Sequence, residues 1–330
     1  MESVRSYLKL LVAVASLAAL LVALSFVGLN PLTLLDSALL AMTPLALAAL
    51  GEVMNEKAGV TNIGLDGILL VSATVAVFGA EELGGGYGGI AVGVAVGALI
   101  GLVHGLLSTY ARASQIVSGI GINIFAYGFV PYFLMAAWGF PGIRVPPKEV
   151  LAPPRALEIA GFSFKVSEFT VLAIVLAPFF HYVLYRTPLG LRVRACGENP
   201  EALDVAGVGV YRIRIALSTL GGALAGLGGS FMSLVWFGGV VKEISAGRGF
   251  IALACVVASG LEPLLALGFA FLFGFSEALA YAVAVTPRVK EVVPYHLVLT
   301  IPYLVTLAVV AVFVGRRRFP RALGQPYIKE

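Results

Sequence analysis

The 330-residue chain is 59% hydrophobic and only 12% charged, with a net charge of +4 and a mean hydropathy of +0.98. Soluble domains carry roughly 25% charged residues, so this balance excludes a soluble globular enzyme and places the chain in the membrane class. Long unbroken apolar runs, in place of short alternating ones, exclude a β-barrel and predict an all-α, polytopic membrane helix bundle.

A helix crosses the hydrocarbon core with about 20 apolar residues. In chain order the candidate spans are Leu8–Gly28, Leu32–Leu50, Leu65–Ala80, Tyr87–Tyr110, Gln115–Trp138, Glu168–Tyr185, Arg212–Phe237, Gly247–Gly260, Pro263–Val285 and Tyr295–Gly315, about ten in all. The first is longer than the roughly 7–15 residues of a signal-peptide core and is expected to be a retained span. The third and eighth are short, and each follows a polar, glycine-bearing break: GEVMNEKAGVTNIGLDG and GGVVKEISAGRG. Spans two to five and seven to ten share this layout. Their offset of five would place the halves upside down to each other, an inverted repeat of the kind transporters use, although a Gly/Ala-rich sequence can produce the likeness by chance.

Basic residues favour cytoplasmic loops and set the orientation. With the N-terminus inside, the inner loops hold Arg5, Lys9, Lys57, Arg112, Arg186, Arg192, Arg194, Arg212, Arg214, Arg316, Arg317, Arg318, Arg321 and Lys329. The outer loops hold Arg144, Lys148, Arg155, Lys165, Lys242, Arg248, Arg288 and Lys290. Both termini are thus expected in the cytoplasm of a single membrane domain covering residues 1–330. A proline-rich outer loop at 139–167 is expected to be structured without forming another span.

A polar island at 186–211, RTPLGLRVRACGENPEALDVAGVGV, cannot sit in lipid and is expected on the cytoplasmic face. Asn199 suits a helix N-cap, Pro200 the first helical position, and Glu201 and Asp204 the first turn; Gly207 and Gly209 can end the helix. A short capped helix between two spans reads as a rigid docking lever, against the alternative of a passive connecting loop. The two cysteines, Cys196 and Cys255, imply no disulfide framework.

In the first break, Asn62 and its flanking glycines Gly64 and Gly67, with Asp66, either form an ordinary loop or let non-helical backbone line a cavity, which requires that lipid be excluded. The break before Gly249 and Phe250 would do the same from the other side. Glu277, inside the ninth span, is a functional carboxylate or a packing one. His104, inside the fourth, reads as structural. GGALAGLGGS at Gly221–Ser230 allows close helix contact. No P-loop, metalloprotease motif or nucleophile with a base occurs, so no metal, cofactor or nucleic acid is expected on this chain.

Several segments together resemble the nucleoside and simple-sugar permeases of ABC importers, a family that also takes in ribose and branched-chain amino-acid permeases. They are KAGVTNIGLDGILLVSA (Lys57–Ala73), QIVSGIGINIFAYG with Asn123, GLRVRACGENPEALDVAGVGV, GRGFIALA with Gly249 and Phe250, IPYLVTL, and the closing RALGQPY. The resemblance covers nearly the whole chain. It implies a non-catalytic permease subunit of the cell membrane that receives substrate from an extracytoplasmic binding lipoprotein. ATP would be hydrolysed on a separate ATPase subunit, and a second related permease, or another copy of this one, would complete the pathway; this chain looks like the shorter of two such permeases. The island would contact the ATPase through Arg194, Gly197, Glu198, Asn199, Pro200, Glu201 and Asp204. The chain departs from the pattern at Asp66, where relatives carry Glu, at Cys196, and in the GLEP turn (Gly260–Pro263), which leaves the substrate open. The rival class is a proton-coupled secondary transporter using Glu277.

Overall fold

The computed structural model describes residues 30–159, 162–285, 300–313 and 319–328. The span expected at Leu8–Gly28 and the Arg316–Arg318 cluster lie outside them, as does part of the tenth span. The helices are α1 (Pro31–Lys57), α2 (Leu65–Glu82), α3 (Gly86–Thr109), α4 (Gln115–Trp138), α5 (Glu168–Arg186), α6 (Pro188–Glu198), α7 (Pro200–Val205), α8 (Val210–Phe231), α9 (Arg248–Ser259), α10 (Pro263–Val285) and α11 (Ile301–Phe313). Among the described residues, α1, α3, α4, α5, α10 and α8 with its π-helical extension to Trp236 are long and apolar enough to cross a membrane.

Two expectations need correction, and the shortness of the eighth span is borne out. The second span does not end at Leu50: α1 continues to Lys57 and carries Glu52, Asn55 and Glu56 into the interior. The sequence GEVMNEK is made largely of good helix formers, and the returning chain supplies hydrogen bonds to its carboxylates, so the charges do not break the helix. The eighth span is the 12-residue α9, about 18 Å long at 1.5 Å per residue, well short of the roughly 30 Å hydrocarbon core. The fold is also not purely helical. β1 (Ile143–Arg144) pairs antiparallel with β4 (Val240–Val241), and β2 (Arg155–Ile159) forms a hairpin with β3 (Phe162–Val166). Prolines between 141 and 154 keep this segment extended, and it pairs where it can.

α1 is the central element. Every residue from Ala41 to Glu56 is buried, and its neighbours are α10, α8, α9 and α5. A helix apolar all round must be enclosed in this way. α2 is likewise buried over most of its length, whereas α4 presents one buried stripe and one apolar outer face: it buries Gln115, Gly119, Asn123, Ala126, Val130 and Leu134 and exposes Ile124 and Tyr132. The end of the bundle beside the β1–β4 pair is tied by Glu81, which accepts from Trp138 Nε1 at 2.6 Å and Arg144 Nε at 2.8 Å.

The most extensive pair is α3 against α8. Gly93, Gly97, Gly101 and Gly105 recur every fourth residue on α3 and meet Ser230, Gly226, Gly222 and Ser218 on α8. A methyl group on Gly97 would lie 2.6 Å from Gly226 Cα, and one on Gly222 would lie 2.7 Å from Gly101 Cα. The backbones therefore touch, which only small residues permit. The α8 half of this interface was expected from GGALAGLGGS; the α3 half was not. Gly97→Leu should force the helices apart and cost at least the roughly 1–3 kcal/mol of overpacking. A lower melting temperature of the purified protein in detergent would register it, with Gly268→Ala, whose added carbon meets nothing within 4 Å, melting as the parent.

Candidate functional site

Two regions carry the polar chemistry. The first is inside the bundle. The chain leaves α1 at Ala58, turns through Gly59 (φ +88°), and runs non-helically to Gly64 before α2 begins. Buried backbone without a helix needs other partners, and the surrounding side chains provide them. Asn62 N–H donates to Glu52 Oε1 at 2.6 Å, and Asn55 Nδ2 donates to Glu52 Oε2 at 3.2 Å. Thr61 donates its hydroxyl to Glu56 at 3.0 Å and its N–H to Gln115 Oε1 at 2.8 Å. His104 Nε2 lies 3.0 Å from the Thr61 carbonyl, which can only accept, so Nε2 carries the proton and Nδ1 faces the Ser118 hydroxyl at 3.0 Å. This gives His104 its structural role.

Asn123 completes the turn. Its Oδ1 accepts Gly67 N–H at 2.8 Å and its Nδ2 donates to the Ile63 carbonyl at 3.0 Å. Gly64 packs on Gly119, where an added carbon would come 3.0 Å from the Gly119 carbonyl oxygen, and Gly67 packs on Ile122. NIGLDG is thus a sequence of close backbone approaches and matched amides, and the cavity-lining alternative for Asn62 resolves into a packed, hydrogen-bonded turn.

At the end of that turn the two halves of the chain meet. Asp66, in the first turn of α2, accepts Gly249 N–H from the first turn of α9 at 2.9 Å. Its other oxygen accepts the Tyr127 hydroxyl at 2.8 Å and the Ser245 hydroxyl at 2.9 Å. One buried carboxylate therefore faces the positive ends of two helices. Gly249 is obligatory, since an added carbon would stand 2.7 Å from Asp66 Cβ. Phe250, next in line, is 47% exposed, and Tyr127 is 44% exposed. The expected residues Asn62, Gly64, Asp66, Gly67, Asn123 and Gly249 are thus brought together, with Phe250 at the edge.

Glu277 lies apart. It forms an ion pair with Arg248, whose guanidinium sits 5.1 Å from the Trp236 ring and 5.4 Å from the Phe237 ring and donates to the Ile244 carbonyl at 3.1 Å. Arg248 was expected in an outer loop. Instead it is buried, because a carboxylate and two aromatic faces replace its water. Glu52, Glu56, Tyr127 and Ser245 were missed as site residues; the returning turn at Thr61 and Asn62 reveals the two carboxylates, and Asp66, far away in sequence, reveals Tyr127 and Ser245.

The second region is the island. Two helices form there. α6, which was not expected, starts at Pro188 with the Thr187 hydroxyl accepting Gly190 N–H at 3.2 Å. α7 runs from Pro200 to Val205, with Asn199 Oδ1 accepting Ala202 N–H at 3.0 Å and Gly207 at φ +81° ending it. Glu198, Asn199 and Glu201 are exposed, and Val205 is 91% exposed, an aliphatic side chain in water at the outermost turn. Asp204 is half-buried. Gly197 and Arg194 do not join this surface: Gly197 packs against Lys57 and Pro320, and the Arg194 guanidinium lies 5.4 Å from the Tyr185 ring. Arg214, counted among the inner cations, is fully buried.

Asp66→Ala would leave the Gly249 amide and two hydroxyls without their acceptor, each orphaned donor costing about 1–3 kcal/mol. A fall in melting temperature larger than that of Phe250→Ala is the expected result. Cys196 is on the buried face of α6, and burial raises its thiol pKa. At pH near 8, where an ordinary thiol of pKa about 8.5 alkylates readily, Cys196 should react with maleimide only after denaturation, as mass spectrometry would read.

Residues 34–302 match the family described as Branched-chain amino acid transport system / permease component. The guanosine ABC transporter permease protein NupQ of Bacillus subtilis is 33% identical over 302 residues, covering 87% of this chain and 93% of that protein. The nucleoside ABC transporter permease protein NupC of Lactococcus lactis is 32% identical over 300 residues, 87% of this chain and 94% of its own. The putative glucose ABC transporter permease protein TsgC13 of Haloferax volcanii is 33% identical over 324 residues, 90% and 98% of the two chains. No solved structure matches. With the family matched over residues 34–302 and relatives aligned nearly end to end, the chain belongs to this family of ABC transport permeases and is a multi-pass membrane protein.

Proposed function

We propose that the chain is the permease subunit of an ATP-driven importer of nucleosides. It takes substrate from an extracytoplasmic binding lipoprotein and is coupled to a separate ATPase subunit. The observation that carries this reading is the match of nearly the whole chain to guanosine and nucleoside permeases. The putative glucose permease at similar identity favours a second reading, a simple sugar. A nucleoside contains a sugar, so the two readings share part of their chemistry. A second permease is supported by the shorter match to the nucleoside permease NupB of Lactococcus lactis, which is named alongside NupC in the same organism.

Within the fold, the exposed α7 is the natural ATPase contact: capped, rigid, and presenting Glu198, Asn199, Glu201 and Val205 outward. The basic residues clustered at that end support a cytoplasmic location for the island and both termini. The pathway is assigned to the outer face of α4 and the start of α9, where Tyr127 and Phe250 stand half-exposed beside the buried Asp66 junction. Glu277, held by Arg248, serves as a strut behind it.

An inverted repeat of α1–α4 and α8–α11 is supported by the packing. α1 on α10 has its counterpart in α8 on α3, α1 on α9 in α8 on α2, and α2 on α4 in α9 on α11. The pairs α1 on α8 and α2 on α9 are their own counterparts, as elements astride a two-fold axis must be. Counting the short α2 and α9 and the expected Leu8–Gly28 as membrane segments beside the six long helices and α11 gives ten.

Reconstitution with an ATPase subunit, a second permease and a binding lipoprotein tests the function. ATP-dependent uptake of labelled guanosine that unlabelled nucleosides compete away, and glucose does not, is expected; uptake driven by a proton gradient without an ATPase would refute it. Asn199→Ala removes a cap worth about 1 kcal/mol of local helix stability. It should lower both uptake and substrate-stimulated ATP hydrolysis severalfold with the melting temperature little changed. Phe250→Ala should instead raise the KM for uptake and leave basal ATP hydrolysis as it was.

A further inference from the structure

The last described segment of the chain, from Phe319 to Ile328, is bound to α6, α7, α8 and the turn after α1. Ala322 N–H donates to the Gly197 carbonyl at 2.8 Å, at the end of α6, and Gly324 N–H donates to the Gly59 carbonyl at 3.2 Å, in the turn between α1 and α2. Arg214 Nη1 donates to the Gln325 carbonyl at 2.9 Å, and the Tyr211 hydroxyl donates to the Tyr327 carbonyl at 3.1 Å, both from α8. The Tyr327 hydroxyl donates to Asp204 Oδ2 at 3.2 Å, on α7 itself. Tyr327 and Ala322 are buried, and the Tyr327 ring meets Tyr211 edge-on at 5.8 Å.

These contacts converge on Gly59. A carbon added there would lie 2.9 Å from Arg214 Nη2 and 3.2 Å from the Ala322 carbonyl oxygen. Gly59 is two residues before Thr61, which binds Glu56, Gln115 and His104, and the same turn continues to Asp66. A contiguous chain of hydrogen bonds therefore runs from Asp204 on the exposed helix, through the C-terminal segment, to the turn that holds the intramembrane junction. α7 also rests on the bundle through Leu203, the buried side chain of its six residues. Burial and the Asp204 carboxylate raise the pKa of the Tyr327 hydroxyl, so it remains a donor at physiological pH.

We propose that the C-terminal segment is a strap that links α7 to the Ala58–Gly64 turn, with Tyr327 and Arg214 as positioning residues that pass movement of the ATPase-facing helix to the Asp66 junction. The use made of the link rests on the ATPase-coupled reading above; the link itself does not.

Tyr327→Phe tests it, because the ring packing stays and only the hydroxyl bonded to Asp204 goes. In the reconstituted complex, substrate moved per ATP hydrolysed should fall at least threefold, with complex assembly and basal ATP hydrolysis within twofold of the parent. A parental transport-to-hydrolysis ratio for Tyr327→Phe, or loss of ATPase binding in its place, overturns the proposal. Amide hydrogen exchange on the permease alone in detergent provides a readout independent of any ATPase. Tyr327→Phe should speed exchange both in α7 and at 59–67, and unchanged exchange at 59–67 overturns the link even if the importer reading stands. If the parental complex shows no ATP-driven uptake, the importer reading fails while the exchange result still decides the strap.

Discussion

Burial of a single carboxylate organises the interior. Asp66 receives an amide from α9 and hydroxyls from α4 and the segment before α9, so residues from three stretches of chain satisfy one another where no water is available. Lipid offers nothing in exchange, which makes each of these bonds obligatory. The short helices α2 and α9 are possible only because their first turns end on this group. Glu52, Glu56, Asn62 and Asn123 extend the same logic back to α1, turning a non-helical stretch of backbone into an enclosed, fully partnered element.

Packing follows from the complementary constraint, the lack of a hydrophobic drive between helices already in oil. Close backbone contact takes its place. α3 and α8 approach through glycine and serine, Gly51 of α1 meets Gly221 of α8, and Gly274 of α10 meets Met42 of α1. The central helix is thereby held on opposite sides by its two largest partners, and its polar C-terminal turns are placed beside α8, where Ser218 donates to Asn55 at 2.8 Å.

What could be read from the sequence was local. The Asn199-Pro200 cap, the Gly207 stop, and the short third and eighth spans all depend on neighbours within a turn, and all appear as expected. The extension of α1 past Leu50 did not, because its carboxylates look like loop residues until Asn62 and Thr61 return to bind them. Arg248 read as an outer cation for the same reason: Glu277 is 29 residues away, and nothing short-range announces the pair. Arg214 and Tyr327 were invisible as anchors of the C-terminal segment, because their partners Gln325 and Tyr211 lie more than a hundred residues away along the chain.

The four-residue spacing on α3 and α8 has a kinetic consequence. Side chains that interlock must leave their holes before helices slide, whereas glycine offers nothing to withdraw. Because small residues repeat with the same period on both surfaces, a shift of one repeat, about 6 Å along the axis at 1.5 Å per residue, sets glycine on glycine again. The interface that most tightly joins the two halves of the bundle is therefore also the one with a second seating of nearly the same shape, a ratchet step between two packed registers.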